Sequence, residues 1–556
     1  MPSPVANVMQ APAGGSKLRA GQDVSRPVAS QQAAVLLPEI TALALDWMKR
    51  GESGGAVVED HSPDELQELL SISFPEDGGK NASASGSSND VSIDAGLRRV
   101  VAASEKILRY SVNHWTQGRF AAKLYSSIDP VGQASELLLG TLNANAHVFS
   151  AAPALSVIEV ATVRKINDLI QYGPDAGGLT MPGGSASNRL SLTTAINNLL
   201  PSVQKEGIAS LPQPPVIFTS EHSHYSIEQA AISAGIGLNN VIKVATDDAG
   251  RMNVDDLARQ LESSVANGKQ PFYINATSGT TVTGCFDNIR QVSAVARKYD
   301  CWLHVDGSWG GSVMFSSKYR SLLDGIELSD SFTVNPHKGL RVPLQCSFLL
   351  VRDRRWLGAN VVEGDYLFHE GQQYDIGRTT TFCGRRSDAL KLYLAWQMHG
   401  SQGLARMIDD ALDSGKVIRQ RIREHPNLQL ILPQDEHTPS YSVCFRFRRS
   451  RDTASAPADC AALTLTPRQM VRPIHAAVLR RGRVMVDFAP LRVRVRDRVV
   501  ATAGGSDQAG PSAAQDANEL GFVGDVFRLP LHPFGLAAGL LVLEEIVEVG
   551  TELYGP

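Results

Sequence analysis

The sequence predicts an α/β protein built around a mostly parallel β-sheet. Between residues 150 and 360, apolar runs of about four to eight residues alternate with stretches whose apolar residues recur at helical spacing. Strands joined by helical crossovers run parallel and are buried on both faces, so this alternation favours a sheet covered by helices on both sides. The clearest apolar runs are PVIFTS (215–220), PFYINAT (271–277), CWLHVDG (301–307) and SFTVNPH (331–337).

The bulk composition is typical of a soluble globular protein. The 556 residues are 43% hydrophobic and 20% charged, and their formal net charge is -4. No strongly basic domain indicates nucleic-acid binding, and no apolar run approaches the roughly 20 residues of a membrane helix. The six cysteines lack the clustered spacing of a zinc site, and the N-terminus lacks a secretory pattern. These features predict a cytoplasmic protein that binds no metal, nucleic acid or membrane.

Composition also predicts the domain organisation. Ser62 precedes Pro63 and is the expected N-cap of a helix. A low-complexity stretch near 501–521 predicts a flexible insertion. The chain is divided into four predicted parts: a disordered tail at 1–36, an N-terminal helical segment at 37–125, a large domain at 126–400 and a small C-terminal α+β domain at 401–556.

Five short motifs carry the residues of chemical interest. Each alone is a common feature, such as a turn into a helix, a polar residue after a strand or a single lysine. Three of them follow predicted strands, at the carboxyl edge where parallel sheets bind ligands. Together they supply a phosphate-binding turn, a carboxylate and an amine, which are the parts of one cofactor site. The motifs are PGGSASN (182–188), TSEHSHYS (219–226), NATSGTT (275–281), HVDGSWGG (304–311) and NPHK (335–338).

These motifs and their flanks resemble the group II pyridoxal-phosphate-dependent decarboxylases. The similarity is greatest to the branch of glutamate, cysteine sulfinate and aspartate decarboxylases, and it rests on FTSEHSHYSI, PFYINATSGTTVTGCFDNI, WLHVDGSWGG, NPHK, and YLF followed by QYD. It covers residues 38 to 400 well and the C-terminal part more weakly. The resemblance implies a fold-type I transferase-like architecture, with pyridoxal phosphate bound in the 126–400 domain. It also implies a homodimer with active sites at the interface.

The resemblance assigns the central chemistry to three residues. Lys338 matches the lysine that holds the cofactor as a Schiff base, and this chemistry needs an amine. Asp306 matches the carboxylate that keeps the pyridine nitrogen protonated, and a cationic ring offsets the cost of burying that carboxylate. His224 matches the histidine that stacks on the ring.

Further cofactor contacts follow from the same resemblance. Backbone amides and hydroxyls where a loop enters a helix bind phosphate well. Gly307 stands where alanine is usual, a change expected to be tolerated. The residues assigned to the cofactor are Ser185, Ala186 and Ser187 at the phosphate, Asn335 and His337 as phosphate or Schiff-base neighbours, and Thr277 near the ring hydroxyl and Asp306.

Four residues are expected to bind the substrate. Arg528 matches the arginine that holds the α-carboxylate, a role suited to a planar guanidinium. Lys123 replaces a family glutamine, His147 falls where the acidic-substrate enzymes place an aromatic residue, and Arg341 stands where a small residue is usual. Three potentially cationic groups favour an anionic substrate. We therefore expect decarboxylation of an acidic L-amino acid, with aspartate slightly preferred over glutamate or cysteine sulfinate.

One departure from the family leaves alternatives open. The family's mobile loop carries a tyrosine that returns a proton to the substrate carbon, but the segment 373–386 is short and has no tyrosine after Tyr374. Tyr374, His369 or a water could replace it. Without that acid, the chemistry can divert to a decarboxylation-dependent aldehyde synthase. A decarboxylase of another amino acid and an inactive cofactor-binding interaction protein are the remaining alternatives.

Overall fold

The computed structural model describes residues 29–75, 89–125, 127–361, 374–431, 439–449, 467–494, 520–533 and 535–555. The chain forms two compact units, one comprising 1–47 and 61–111 and the other 48–60 and 112–556. No helix in the described part of the chain is long and apolar enough to span a membrane.

The helices begin earlier than the composition suggested. The first one starts at Ala29, inside the predicted tail of residues 1–36, because the ASQQAAV stretch consists mainly of residues that tolerate a helix well. The helices are α1 (Ala29–Glu52), α2 (Pro63–Leu70), α3 (Asn89–Arg109), α4 (Pro130–Leu142), α5 (Pro153–Ile170), α6 (Gly184–Leu199), α7 (Ser202–Glu206), α8 (Ser226–Ser233), α9 (Val254–Ala266), α10 (Ile289–Lys298), α11 (Pro336–Gly339), α12 (Arg355–Gly358), α13 (Ala389–Glu424), α14 (Pro467–Arg481) and α15 (Gly535–Tyr554).

The first unit contains α2, α3 and most of α1. Ser62 caps α2 as predicted: its hydroxyl accepts from Glu65 N at 3.3 Å, and the Glu65 carboxylate accepts from Ser62 N at 2.8 Å. This reciprocal pair satisfies two amides at the start of the helix that have no partner within it.

The strands all lie in the second unit. The insertion predicted near 501–521 lies outside the described residues up to residue 519, and a strand begins at Leu520. The strands are β1 (Phe120–Ala121), β2 (Gly177–Met181), β3 (Pro215–Ser220), β4 (Val241–Val244), β5 (Gln270–Thr277), β6 (Trp302–Gly307), β7 (Ser331–Val334), β8 (Ser347–Val351), β9 (Leu428–Leu430), β10 (Ser442–Phe447), β11 (Met485–Arg494) and β12 (Leu520–Pro530).

The larger sheet is mostly parallel, as the sequence predicts. Its order is β2-β8-β7-β6-β5-β3-β4, and β8 alone runs antiparallel to its neighbours. All residues of β3 and β6 are buried, which explains their continuous apolar runs. In the register, Thr277 lies opposite Asp306, and Asp306 lies opposite Thr333. The carboxyl ends of β5, β6 and β7 therefore meet at one edge of the sheet.

The smaller sheet joins distant parts of the sequence. Its order is β1-β11-β12-β10-β9, and β1 pairs in parallel with β11, whereas the other strands are antiparallel. Strand β1 falls in the predicted N-terminal segment, yet it pairs with a strand some 360 residues further along the chain, with Phe120 opposite Met485. This pairing brings Lys123, two residues after β1, to the C-terminal sheet.

Candidate active site

A buried carboxylate lies at the carboxyl edge of the larger sheet. Asp306 is 4% exposed and accepts two hydrogen bonds, from Ser308 N at 3.0 Å and from Asn188 Nδ2 at 2.8 Å. Burial by itself would raise the pKa of Asp306, but these two bonds and the nearby His224 and His304 outweigh it, so the pKa lies below its ordinary value. Asp306 is therefore an ionised carboxylate inside the protein.

Lys338 lies near this carboxylate, at the end of the next strand. It belongs to the short helix α11, which follows β7 directly. Burial lowers the pKa of the Lys338 ammonium to about 8; the charge of Asp306 opposes this effect and that of Arg528 adds to it. Its Nζ makes no hydrogen bond to any described residue. A half-buried amine with a lowered pKa is a better nucleophile than an exposed lysine.

His224 reaches the same site from the end of β3. Its Nδ1 lies 2.8 Å from Ser226 Oγ and 3.2 Å from Ser226 N. Burial lowers the pKa of this imidazole, while Asp306 raises it and Lys338 lowers it further. The shared electrostatics place His224, Asp306 and Lys338 in one neighbourhood, as the motifs predict.

Asn188 is a residue of this site that the sequence analysis did not assign. Its side-chain amide donates both to Asp306 and, at 2.9 Å, to Ser226 Oγ. It is the last residue of the PGGSASN motif, but an asparagine in the first turns of a helix is too common to indicate a contact across the sheet. Only the packing of α6 against α8 and β6 reveals the role.

The start of α6 forms a cradle with free backbone donors. Gly183 precedes it with φ 97°, a conformation that favours glycine. The first amides of a helix have no intrahelical partner, and here they belong to Ser185 and Ala186. A Cβ on Gly184 would lie 3.0 Å from Asn335 Nδ2 and would collide with the side chain of Ser308. The backbone therefore approaches the site closely, as an anion-binding turn requires.

Three other predicted cofactor residues, Ser187, Asn335 and His337, form hydrogen bonds with neighbouring residues of the protein. Ser187 is fully buried, and its hydroxyl lies 3.0 Å from that of Ser347, which donates to Asn335 Oδ1 at 2.7 Å. His337 donates from Nδ1 to Cys346 O at 2.6 Å, and burial lowers its pKa to about 4. Their side chains are thus oriented by these bonds next to the cradle.

Several buried hydroxyls at this edge make no hydrogen bond with any described residue. Among them are the hydroxyls of Thr277 and Thr333, which both lie opposite Asp306, and of Ser308, which lies next to Gly184. Buried polar atoms without partners are costly, and their presence indicates a missing polar ligand. The set of an amine, an ionised carboxylate, helix amides and unpaired hydroxyls fits the amine-reactive aldehyde, ring nitrogen, phosphate and hydroxyl of pyridoxal phosphate.

The packing around Gly307 explains why glycine replaces the usual alanine in this chain. A Cβ at this position would lie 2.9 Å from Thr333 O and would collide with the ring of Phe332. Phe332 is fully buried, so the usual alanine would have to displace a core side chain.

A cluster of charges lies in the smaller sheet. Arg528 is 7% exposed and donates to Ala122 O at 2.8 Å, to Thr281 O at 3.1 Å and to the Asp487 carboxylate at 3.3 Å. Lys123 Nζ donates to the same Asp487 oxygen at 2.8 Å. The Nε of Arg528 is buried without a partner in the described structure. Burial lowers the pKa of the guanidinium below its ordinary value.

Arg341 and His147, predicted to add positive charge to the pocket, have other surroundings. Arg341 donates to Ile128 O at 3.2 Å and pairs with Asp129 at 3.7 Å. His147 is 5% exposed, and burial, together with Arg385, lowers its pKa, so it is neutral at pH 7. These two residues do not supply two unpaired cations.

The segment expected to replace the family tyrosine is described only in part. Tyr374 is half-buried, and its ring lies 5.7 Å from that of Phe149. His369 lies outside the described residues. No described contact joins Tyr374 to Lys338 or Asp306.

Comparison with known proteins identifies the family of this site. The pyridoxal-dependent decarboxylase conserved domain matches residues 83–448. An L-aspartate decarboxylase of Metarhizium robertsii is 40% identical over 439 residues, which cover 78% of this chain and 82% of that protein. Human cysteine sulfinic acid decarboxylase is 34% identical over 400 residues, which cover 70% and 76% of the two chains.

Solved structures agree with the sequence comparison. The crystal structure of mouse CSAD matches with a TM-score of 0.78 and 29% identity, over 94% of this chain and 99% of that one. The structure of Oryza sativa TDC with pyridoxal phosphate and tryptamine has a TM-score of 0.76 at 21% identity and supports the fold alone. The predicted fold class, family, cofactor and enzyme type are confirmed. This chain belongs to the pyridoxal-dependent decarboxylases and is an amino-acid decarboxylase that uses pyridoxal phosphate.

Proposed function

We propose that the enzyme removes the α-carboxylate of an acidic L-amino acid as carbon dioxide, and that it prefers aspartate, giving β-alanine, over glutamate or cysteine sulfinate. The observation that carries this proposal is the cluster of Arg528, Lys123 and Asp487, in which two cations share one carboxylate. The 40% identity to an L-aspartate decarboxylase supports the preference.

The cofactor site divides its work among three side chains. Pyridoxal phosphate, when bound, withdraws electrons from the substrate carbon into its ring. Lys338 supplies the amine that holds the cofactor, and Asp306, already ionised, stabilises a proton on the ring nitrogen. His224, whose Nδ1 is bonded to Ser226, would stack on the ring of the cofactor.

The remaining polar groups orient the cofactor. The amides of Ser185 and Ala186 at the start of α6 bind its phosphate, assisted by Ser187, Asn335 and His337. The hydroxyl of Thr277, buried without a described partner, binds the ring hydroxyl. This contact would satisfy an atom that is otherwise costly to bury.

Arg528 binds the α-carboxylate of the substrate. Its unpartnered Nε and its electrostatic effect on Lys338 support a position beside the reacting amine. Lys123 carries the counter-charge for the side-chain carboxylate. Its ammonium has three donors, so it can keep its bond to Asp487 and also donate to a second carboxylate. His147 and Arg341 line the same pocket in this proposal, but neither adds a free charge.

The enzyme acts as a cytoplasmic homodimer in this proposal. Helix α4 exposes Leu137, Leu138 and Leu142, which are 58%, 46% and 54% accessible. A contiguous apolar face of this kind supports burial against a second copy. The free, mostly buried cysteines of the described residues suit a reducing compartment.

A substrate panel tests the function. Purified holoenzyme is supplied with aspartate, glutamate, cysteine sulfinate, tryptophan and tyrosine, and carbon dioxide, amine, hydrogen peroxide and ammonia are measured. We expect carbon dioxide and amine in equal amounts, with the highest kcat/KM for aspartate. Peroxide and ammonia in step with carbon dioxide would favour the aldehyde synthase, the reaction suggested by the short 373–386 segment without the family tyrosine. Preference for an aromatic substrate would overturn the proposal.

A further inference from the structure

A continuous chain of buried hydrogen bonds runs beneath the cofactor edge of the larger sheet. Its members and distances are Trp302 Nε1 to Ser331 Oγ at 2.8 Å, Ser331 Oγ to His304 Nδ1 at 2.8 Å, His304 Nε2 to Asn188 Oδ1 at 3.0 Å, Asn188 Nδ2 to Ser226 Oγ at 2.9 Å and Ser226 Oγ to His224 Nδ1 at 2.8 Å. A branch at Asn188 reaches Asp306 at 2.8 Å.

The position of each proton in this chain follows from two groups whose roles are fixed: the indole of Trp302 only donates, and the ionised carboxylate of Asp306 only accepts. Ser331 Oγ accepts from the indole and has its own proton available for His304 Nδ1. His304 is fully buried and neutral, since burial lowers its pKa to about 4. Asn188 turns its amide nitrogen to Asp306, so its oxygen faces His304 Nε2, and the one proton of the ring therefore lies on Nε2.

The amide of Asn188 is thereby fixed in one orientation. With its oxygen held by His304, its two N–H groups point to Asp306 and to Ser226. Asp306 sets this orientation, because an ionised carboxylate can only accept.

The hydrogen bonds keep the same donor-to-acceptor direction from Asn188 to His224. Ser226 accepts from Asn188, so its hydroxyl proton goes to His224 Nδ1, and the backbone N–H of Ser226 also points at that nitrogen from 3.2 Å. A nitrogen that accepts twice carries no proton. Neutral His224 must then hold its proton on Nε2, which has no partner among the described residues.

We propose that Asn188 is a positioning residue that fixes the Asp306 carboxylate and, together with the backbone N–H of Ser226, holds the proton of His224 on Nε2. The proposal rests on the cofactor-binding roles given above to Asp306 and His224. The result is that the imidazole presents a donor, not a lone pair, to the cofactor and substrate. No other side-chain type of this size can accept from His304 and donate twice, so aspartate or leucine could not replace it.

Two variants separate the branches of the chain. Asn188→Ala removes both donors, whereas Ser226→Ala removes only the branch to His224. Thr194→Ala is the matched control, because Thr194 is a buried hydroxyl of the same helix that bonds Asn360 at 2.8 Å, outside the chain. The holoenzymes are compared in the dissociation constant of pyridoxal phosphate and in kcat.

We expect Asn188→Ala to weaken cofactor binding and to lower kcat, each by about tenfold, since a buried charge loses a donor. We expect Ser226→Ala to lower kcat by about tenfold while cofactor affinity stays within about threefold of wild type. The Thr194→Ala control should stay within about threefold in both. Asn188→Ala values that match this control would overturn the proposal.

A measurement on the unmodified protein covers the case in which a variant does not fold. Wild-type holoenzyme is labelled with ¹⁵N-histidine, and the His224 ring signals are assigned by their loss in His224→Gln. We expect the proton on Nε2 and none on Nδ1; a proton on Nδ1 would overturn the inference. If wild-type enzyme binds no pyridoxal phosphate or releases no carbon dioxide, the proposed function fails, whereas a failed tautomer test with an active enzyme rejects the inference alone.

Discussion

The cofactor edge of the larger sheet and the charge cluster of the smaller sheet differ in the groups that hold their charged side chains. At the cofactor edge, Asp306 is held by neutral donors and leaves its charge available for a ligand. In the charge cluster, Arg528 and Lys123 already share the carboxylate of Asp487, so a substrate meets charges that are partly neutralised. The comparison indicates that cofactor binding is preorganised, whereas substrate binding requires the exchange or sharing of an internal ion pair.

The largest expected effect is at Lys338. Lys338→Ala should remove the absorbance of the bound cofactor and reduce turnover below detection, because Lys338 is the amine that lies beside Asp306. Lys338→Arg is the matched control, since it keeps a cation but not a nucleophilic amine. Substantial decarboxylation by either variant would contradict the assignment.

Asp306→Asn should have the second largest effect on activity. The neutral amide no longer stabilises a proton on the ring nitrogen, and kcat should fall by about 10²–10³-fold while some cofactor remains bound. Asp330→Asn is the control, since Asp330 is also buried but lies at the start of β7, at the opposite edge of the sheet. Equal losses in the two variants would show that the effect at Asp306 is one of folding.

The charge cluster should respond more weakly. Lys123→Ala should lower kcat/KM for the acidic substrate by about tenfold and leave cofactor affinity unchanged, because half of its side chain is exposed and its charge is screened. Asp487→Asn should lower KM a few-fold, since it frees both cations. The exposed Lys205→Ala on α7 should do neither. A rise in KM in Asp487→Asn would show that Asp487 positions Arg528 and does not compete with the substrate.

The last prediction concerns stability against acid, which is separate from the effects on activity. Burial lowers the pKa of His304, His337 and His532 from 6.5 to about 4. The folded state therefore takes up fewer protons than the unfolded state as the pH falls from 6.5 to 4, and stability present above pH 6.5 is lost across this range. Each lowering corresponds to roughly 3 kcal/mol. The urea midpoint should fall between pH 7 and pH 5, and His532→Gln should reduce that fall; a pH-independent midpoint would contradict these shifts.

The sequence predicted the cofactor edge better than the charge cluster. Asp306 and Lys338 stand directly after apolar strands, and parallel strands place such residues at one edge whatever the intervening loops do. The pairing of Asn188 with Asp306 spans 118 residues, and no local pattern encodes it. Strand β2 was missed because Gly177 and Gly178 weaken any strand signal.

The charge cluster depends on tertiary pairing that the sequence does not reveal. Lys123 reaches Asp487 only because β1 pairs with β11, and Arg528 reaches it only through the register of β11 with β12. Two of the three potentially cationic groups expected near the substrate also have surroundings that the sequence does not reveal. Asp129 pairs with Arg341, and burial keeps His147 neutral, and neither effect can be read from residue type alone.

The most direct test of the account is to map the lysine that holds the cofactor. Holoenzyme is reduced with borohydride to fix pyridoxal phosphate to its lysine, digested, and analysed by mass spectrometry, with enzyme from which the cofactor was removed beforehand as the control. We predict one modified lysine, Lys338, in the NPHK motif, with the modification absent from the control. Modification of a different lysine, or retention of the cofactor with none modified, would contradict the assignment on which the whole site is built.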